Sequence, residues 1–298
     1  MIVEKSSIKN FLTLAFGAMC ISFAPIFVKM IDTTLLGPTA IAFWRTLIGA
    51  AILFGLAFVK KEKIIVPKEV FAFALLAGFI FCCDLFVWHK SILFSSAGIA
   101  TILGNTQVFW MALIGVVFFS EKLSPSYLLS VCMAFVGVML LVGVGSIQEF
   151  SAEYIKGIAF GLMTGIFYSG YITSIKKAGH TKTSFSFISF IAWTSLASAL
   201  FLAIAMFVES DPYWPPDTNS WVAIIGVAIV AQSVGWYVIS ITLPKIKASQ
   251  SGMVLLLQPI LATIWGTLFF AERLQALQIA GALLTLVAIY FGSVRKSK

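Results

Sequence analysis

Two side chains of opposite charge stand inside otherwise apolar stretches: Arg45 in IAFWRTLIGA and Asp84 in FCCDLFVW. An ionisable group in hydrocarbon is costly unless it is paired or hydrated, so each points to a path for an ion or a polar solute. Pro38 opens the stretch that carries Arg45, and Lys90 closes the one that carries Asp84. On helices these positions lie ~10 Å and ~9 Å from the same end of the layer. The shared depth leaves an ion pair or a common solute site open to them. The alternative is an Arg45 that snorkels to headgroups and an Asp84 that faces water. Asp84 is also the one carboxylate well inside an apolar run, which makes it the candidate for a coupled proton.

Amides and aromatic rings recur near these charges. Trp88 is one helical turn from Asp84, on the same face. Asn105 and Gln107 stand in the next apolar run, where an amide needs protein or water to bond. Tyr168 and Tyr171 share a face with Thr164, Gln232 and Trp236 share one with Ser240, and Gln258 precedes Pro259. Flat apolar area beside hydrogen-bonding groups suits a small organic solute. The predicted solute-binding set is therefore Arg45, Asp84, Trp88, Asn105, Gln107, Tyr168, Tyr171, Gln232, Trp236 and Gln258.

Other chemistry finds no residues to carry it. His89 and His180 lack spaced partners, and Cys20, Cys82, Cys83 and Cys132 all lie in apolar runs as small hydrophobes, so no metal is expected. A G-x-S-x-G elbow, an H-E-x-x-H pair and a G-x-x-x-x-G-K-[ST] loop are absent from the sequence, which argues against an enzyme, a cofactor or direct use of ATP. The net charge of +8 comes from Lys and Arg in short gaps between apolar runs. That pattern belongs to membrane topology, not to nucleic acid.

The elements that must hold these groups follow from composition. Of 298 residues 60% are hydrophobic and 11% charged, whereas a soluble protein carries about 25% charged residues. The bilayer is the predicted solvent. Ten apolar segments follow one another, at roughly 10–31, 38–59, 69–90, 96–119, 125–145, 154–175, 184–208, 220–243, 250–271 and 275–293. Each is close to the ~20 residues that cross the hydrocarbon as a helix. The run after Lys5 and Lys9 is of spanning length and lacks the short core of a signal peptide, so it is kept as a helix. With the N-terminus inside, fifteen Lys and Arg fall on the inner side and four on the outer side. Both termini are predicted to be cytoplasmic. The longest loop, 209–220 with Glu209, Asp211 and Asp217, then lies outside.

One stretch is written twice. Gln107–Leu123 (QVFWMALIGVVFFSEKL) and Gln258–Leu274 (QPILATIWGTLFFAERL) share a glutamine, a glycine, Phe-Phe, a glutamate and a leucine in the same register. IKNFLTLAFG from Ile8 also resembles IKGIAFGLMT from Ile155. The predicted units are residues 1–148 and 149–298, five helices each. Five is odd, so the second copy is inverted relative to the first, an arrangement typical of transporters with a site near the midplane. Glu121 and Glu272, beside Lys122 and Arg273, read as markers of helix ends. Gly161 and Gly165 read as close-packing positions, and Pro25 as a kink in the first helix.

At these residues the chain resembles the EamA family of the drug/metabolite transporter superfamily. The resemblance rests on FWRTLIGA with Arg45, SAGIATIL at 96–103, FFSEKLS at 118–124, LLLQPILATIWGTLFFAERLQ at 255–275 and AGALLTLVAIYFG at 280–292. It covers nearly the whole chain. Val108 departs from the pattern, since the family often has proline where the second copy keeps Pro259. The resemblance implies ten helices, a site lined by the first four helices of each copy, and peripheral fifth and tenth helices. It also implies secondary transport of a small amino acid-like or other polar metabolite across the cytoplasmic membrane, by alternating access, as exporter or exchanger. The expected partners are the solute and the lipid bilayer, with the chain a monomer or homodimer. An intramembrane enzyme or a non-transporting assembly subunit is the alternative.

Overall fold

A computed structural model of the chain describes residues 2–32, 34–95, 97–142, 151–209, 212–271 and 275–294. Ser96, the unit boundary at 148/149, Asp211, Glu272, Arg273, Leu274, Arg295, Lys296 and Lys298 lie outside the described residues. Among those described, regular structure is helical throughout. Eight helices are long and apolar enough to cross a membrane, and two shorter apolar ones, Pro125–Leu141 and Ala276–Gly292, accompany them.

Helix starts and stops follow local signals. The first span is α1 (Ile2–Ser22) and α2 (Ala24–Lys29), broken at Phe23 just before Pro25, which has no N–H for the ladder. Proline begins α3 (Pro38–Val59), where its fixed φ suits the first turn. After Pro67 comes α4 (Lys68–Phe94), then α5 (Ala97–Gly104), α6 (Gln107–Phe119) and α7 (Pro125–Val142). Ser151 caps α8 (Ala152–Ala178) by accepting from the Tyr154 N–H at 3.1 Å. Next are α9 (Phe187–Glu209) and α10 (Thr218–Val227), the latter capped by Asp217, which accepts from the Ser220 N–H at 2.7 Å. A π-helical segment, Ala228–Gly235, joins α10 to α11 (Trp236–Thr242). The chain continues through α12 (Ala248–Leu255) and α13 (Leu257–Phe270) to α14 (Ala276–Ile289), whose capping box is Gln275 with Gln278.

The apolar runs predict unbroken helices over 96–119 and 250–271, but both are interrupted, at Asn105–Thr106 and at Leu256. Proline three residues on accompanies the second break only. The first forms without it, because side chains compete for helix carbonyls. Asn105 Nδ2 donates to Thr101 O at 2.8 Å and Thr106 Oγ1 to Leu103 O at 2.6 Å, beside the weak helix former Gly104.

These features repeat at one step of 151 residues. The step relates the starts of α5 and α12, the starts of α7 and α14, and the breaks at Asn105 and Leu256. It also relates the left-handed residues that end α6 and α13, Ser120 (φ 52°) and Ala271 (φ 54°). The N–H of each turns back to a glycine carbonyl, Gly115 or Gly266.

Contacts run between the halves of the chain. α4 packs along α8 and α9, α3 along α9, and α7 along α14, while α1 lies against the π-helical segment and α11. Missing side chains permit the approach. A Cβ on Gly78 would sit 2.6 Å from Ala197 Cβ, and one on Gly281 2.5 Å from Leu141 N. Gly161 faces Leu103 and Gly165 faces Thr106, so α8 closes onto the break between α5 and α6. Both halves feed one buried cluster centred on Phe81, Tyr171, Phe190 and Trp236.

Candidate functional site

The deepest polar groups converge where α3, α4, α8 and the π-helical segment meet. Arg45, on α3, is 8% exposed, and its Nη2 donates to Gln232 Oε1 at 3.3 Å. Gln232 in turn donates from Nε2 to Ser195 Oγ at 2.9 Å, so one amide ties α3 to α9. The approach depends on Gly49, where a Cβ would come within 2.5 Å of Gln232 Cγ. It also depends on the π-helical turn that carries Gln232, since π-bulges re-aim side chains and recur at functional sites.

Asp84 enters from α4, 6% exposed. No Arg45 nitrogen comes within 4.0 Å of its carboxyl oxygens. The direct ion pair that equal depth allows is therefore not formed, because the guanidinium is turned toward Gln232. Among the described residues Asp84 makes no hydrogen bond, and its Oδ1 is buried without a partner. Arg45 Nε, Tyr171 Oη and Trp236 Nε1 are in the same condition.

Aromatic rings enclose these groups. Phe81 stacks on Tyr171 with centroids 4.4 Å apart, and Trp236 meets Tyr171 edge-on at 4.5 Å and Phe81 at 5.6 Å. The Arg45 guanidinium carbon lies 6.0 Å from the Phe81 centroid. Tyr168 adds a third wall, 6.0 Å from Trp236, and accepts at its hydroxyl from Gln258 Nε2 at 2.9 Å.

Six of the ten predicted site residues thus assemble directly: Arg45, Asp84, Tyr168, Tyr171, Gln232 and Trp236. Gln258 joins at the edge through Tyr168. The other three do other things. Gln107 donates from Nε2 to Gly252 O at 2.9 Å, holding α6 to α12. Asn105 bonds its own helix at Thr101. Trp88 is half-buried, and its ring contact is with His89, centroids 5.1 Å apart. Phe81 and Ser195 join the cluster without having been predicted. Phe81 is legible in hindsight as the residue three before Asp84 on a helix, whereas nothing in the sequence singles out Ser195.

The helix-end acid Glu121 has a definite partner. Its carboxylate accepts from the Ala248 N–H at 2.5 Å, the Ser249 N–H at 3.2 Å and Ser249 Oγ at 2.5 Å, capping α12 across the halves. Lys176, in the last turn of α8, is buried, 3% exposed, and its Nζ donates to the carbonyls of Leu243 and Ile246. Among the described residues no group of three or more His, Cys, Asp and Glu could hold a metal ion.

Spanning helices from both halves around a buried polar cluster define a multi-pass membrane protein. The EamA-like transporter family model matches residues 9–143 and 155–294, and the chain belongs to that family. It is 23% identical to a probable amino-acid metabolite efflux pump of Salmonella typhimurium, over 65% of this chain and 66% of that one, just under two thirds of the pump's length. It is 26% identical to a threonine/homoserine exporter of the same species, over 87% of this chain and 82% of the exporter. A pseudopaline exporter of Pseudomonas aeruginosa is 21% identical, with 83% of each chain covered. One solved crystal structure superposes with a TM-score of 0.82 at 15% identity, covering 96% of this chain and 98% of the other, which marks a shared fold.

Proposed function

We infer that this chain is a secondary transporter, not an enzyme, and that it exports a small metabolite through the Arg45–Asp84 cluster by alternating access. The observation that carries this is the cluster's dual origin. Arg45, Phe81 and Asp84 come from one half of the chain, Tyr171, Gln232 and Trp236 from the other. A group held between two moving halves is where a carried solute must sit. The relatives' names, which speak of amino-acid metabolites, threonine, homoserine and pseudopaline, support an amino acid-like solute.

In this reading residues 1–148 and 149–298 are two five-helix units. The eight long spans and two shorter apolar helices make ten crossings. An odd number per unit inverts the second relative to the first. Helices α7 and α14, packed on each other, stay at the periphery while the remaining spans rock about the cluster. The Lys and Arg asymmetry supports cytoplasmic termini in an inner membrane. Asp84 is the candidate for a coupled proton. One chain supplies the whole cluster, so a monomer, or a dimer of independent sites, suffices.

Reconstitution tests this. Protein-containing liposomes loaded with a panel of labelled amino acids and other small metabolites should release at least one of them faster than protein-free vesicles. No accelerated release of any solute, with or without a pH gradient, would remove the transporter reading.

A further inference from the structure

Among the described residues, Lys176 is the buried cation outside the Arg45–Asp84 cluster. Lysine is almost never fully buried unless it is paired. Here two carbonyls take its hydrogens, Leu243 O at 2.8 Å and Ile246 O, and the Phe119 ring lies 5.1 Å away. Those carbonyls belong to the turn that ends α11, the negative end of its dipole. The N–H groups of Ala248 and Ser249, a few residues on, are held by Glu121 from beyond the end of α6. The connection Leu243–Ser249 is thus gripped twice, by a cation at its carbonyls and by a carboxylate at its amides. A link that only turned the chain would need neither, since water satisfies such groups at an exposed helix end.

The grip stands in line with the aromatic cluster. Lys176 follows Tyr171 by five residues on α8, and Leu243 follows Trp236 by seven along α11. Along a helix these separations are ~8 Å and ~10 Å. Phe119 and Glu121 come from the first half of the chain, Lys176 and the connection from the second. The halves therefore meet here as they do at the cluster, about two turns closer to the helix ends. A related contact exists elsewhere in the chain. The step of 147 residues that carries Ile8 to Ile155 also carries Lys29 to Lys176, and the step of 151 carries Phe119 to Phe270. Lys29 stands 4.5 Å from the Phe270 ring. The two lysines differ in burial: Lys29 is exposed, whereas Lys176 is 3% exposed.

We propose that the grip of Lys176, Phe119 and Glu121 on Leu243–Ser249 is a latch that shuts one end of the solute path, and that Lys29 and Phe270 belong to its counterpart at the other end. This rests on the transporter reading and names the parts that alternate. In this structure the Lys176 latch is shut. Opening moves the end of α6 off the connection, and Lys176 comes out to water as Lys29 does here. Polar contacts suit the task, because water takes over each bond as the latch parts and no buried charge is left unpaired.

The test needs no solute. In a background with Cys20, Cys82, Cys83 and Cys132 replaced by serine, Ser240→Cys places one thiol in the buried stretch between Trp236 and Leu243. The full-length protein, in inside-out and right-side-out vesicles, is treated with an impermeant thiol reagent. The latch side is the one from which Lys247→Cys reacts. Lys176→Met should speed labelling of Ser240→Cys from that side at least about ten-fold, because methionine strands two carbonyls only while the latch is shut. Lys176→Arg keeps the donors and should label like the Ser240→Cys parent. Lys29→Met acts at the opposite end and should give no rise. A merely structural role for Lys176 would lower the melting temperature and leave labelling at the parent's rate.

Should Lys176→Met fail to fold, Glu121→Gln carries the test. It keeps the shape of the side chain but weakens the hold on the Ala248 and Ser249 amides, so labelling from the latch side should rise several-fold. Unchanged labelling, or an equal rise in Lys176→Met and Lys29→Met, overturns the proposal. Liposomes that release a solute while labelling stays unchanged leave the transporter reading standing without the latch. Liposomes that release none remove both.

Discussion

Gln232 carries more of the cluster than its neutral side chain suggests. Its oxygen is the acceptor for Arg45 Nη2 and its nitrogen the donor to Ser195. Gln232→Leu keeps most of the volume but deprives a buried guanidinium of its partner, at a cost of about 2 kcal/mol. Gln258→Leu strands only the neutral hydroxyl of Tyr168, at about 1 kcal/mol. In detergent melting experiments Gln232→Leu should therefore fall by more degrees than Gln258→Leu. Equal losses would mean that Arg45 finds another acceptor and that Gln232 is only filler.

Among the helices, two kinds of contact hold the halves together, and they make separate predictions. Glu121 satisfies two N–H groups at the start of α12, a terminus that would otherwise lack side-chain acceptors. Glu121→Ala should cost about 1–2 kcal/mol, with faster hydrogen exchange at the Ala248 and Ser249 amides than in the wild type. Unchanged exchange there would show that water replaces the cap at no loss. The α7–α14 pair depends instead on absent side chains. Alanine at Gly281 pushes a methyl into the backbone of α7 and should destabilise by about 1–3 kcal/mol. Gly55, on α3, has nothing within 4 Å of where its Cβ would stand. Gly55→Ala should thus stabilise the helix by up to about 1 kcal/mol. Melting curves in which both variants move the same way would refute the close approach at Gly281.

For the whole molecule, the duplication extends to contacts no alignment contains. Lys29 stands 4.5 Å from the Phe270 ring and Lys176 5.1 Å from the Phe119 ring, each contact joining the two halves through rings 151 residues apart. If the halves are inverted copies, these two contacts lie at opposite faces of the membrane. Orientation then becomes a direct measurement. In a background with Cys20, Cys82, Cys83 and Cys132 replaced by serine, cysteine at Lys177 or Lys247 should resist an impermeant thiol reagent in intact cells. Cysteine at Asp217 should react. The reverse pattern would turn the molecule over, and reaction on both sides would mean a mixed population.

What the sequence by itself determined is what short-range physics controls. Spanning segments follow from apolar length, a helix start from Pro38, and the duplication from a glutamine, a glycine and a glutamate in fixed order around Phe-Phe. The shared depth of Arg45 and Asp84 could also be read, from their distances to the ends of their runs, whereas the choice between burial and a water-facing position could not. Which partner each group takes could not. Arg45 chooses Gln232 over Asp84 because a π-helical turn and Gly49 bring that amide close, and both conditions exist only once α3 meets the second half. Gln107 and Gln258, equal in the repeat, part ways for the same reason: one meets a carbonyl of α12, the other the hydroxyl of Tyr168. Identical side chains on repeated helices differ only in what packs against them, and that is fixed by contacts far apart in the chain.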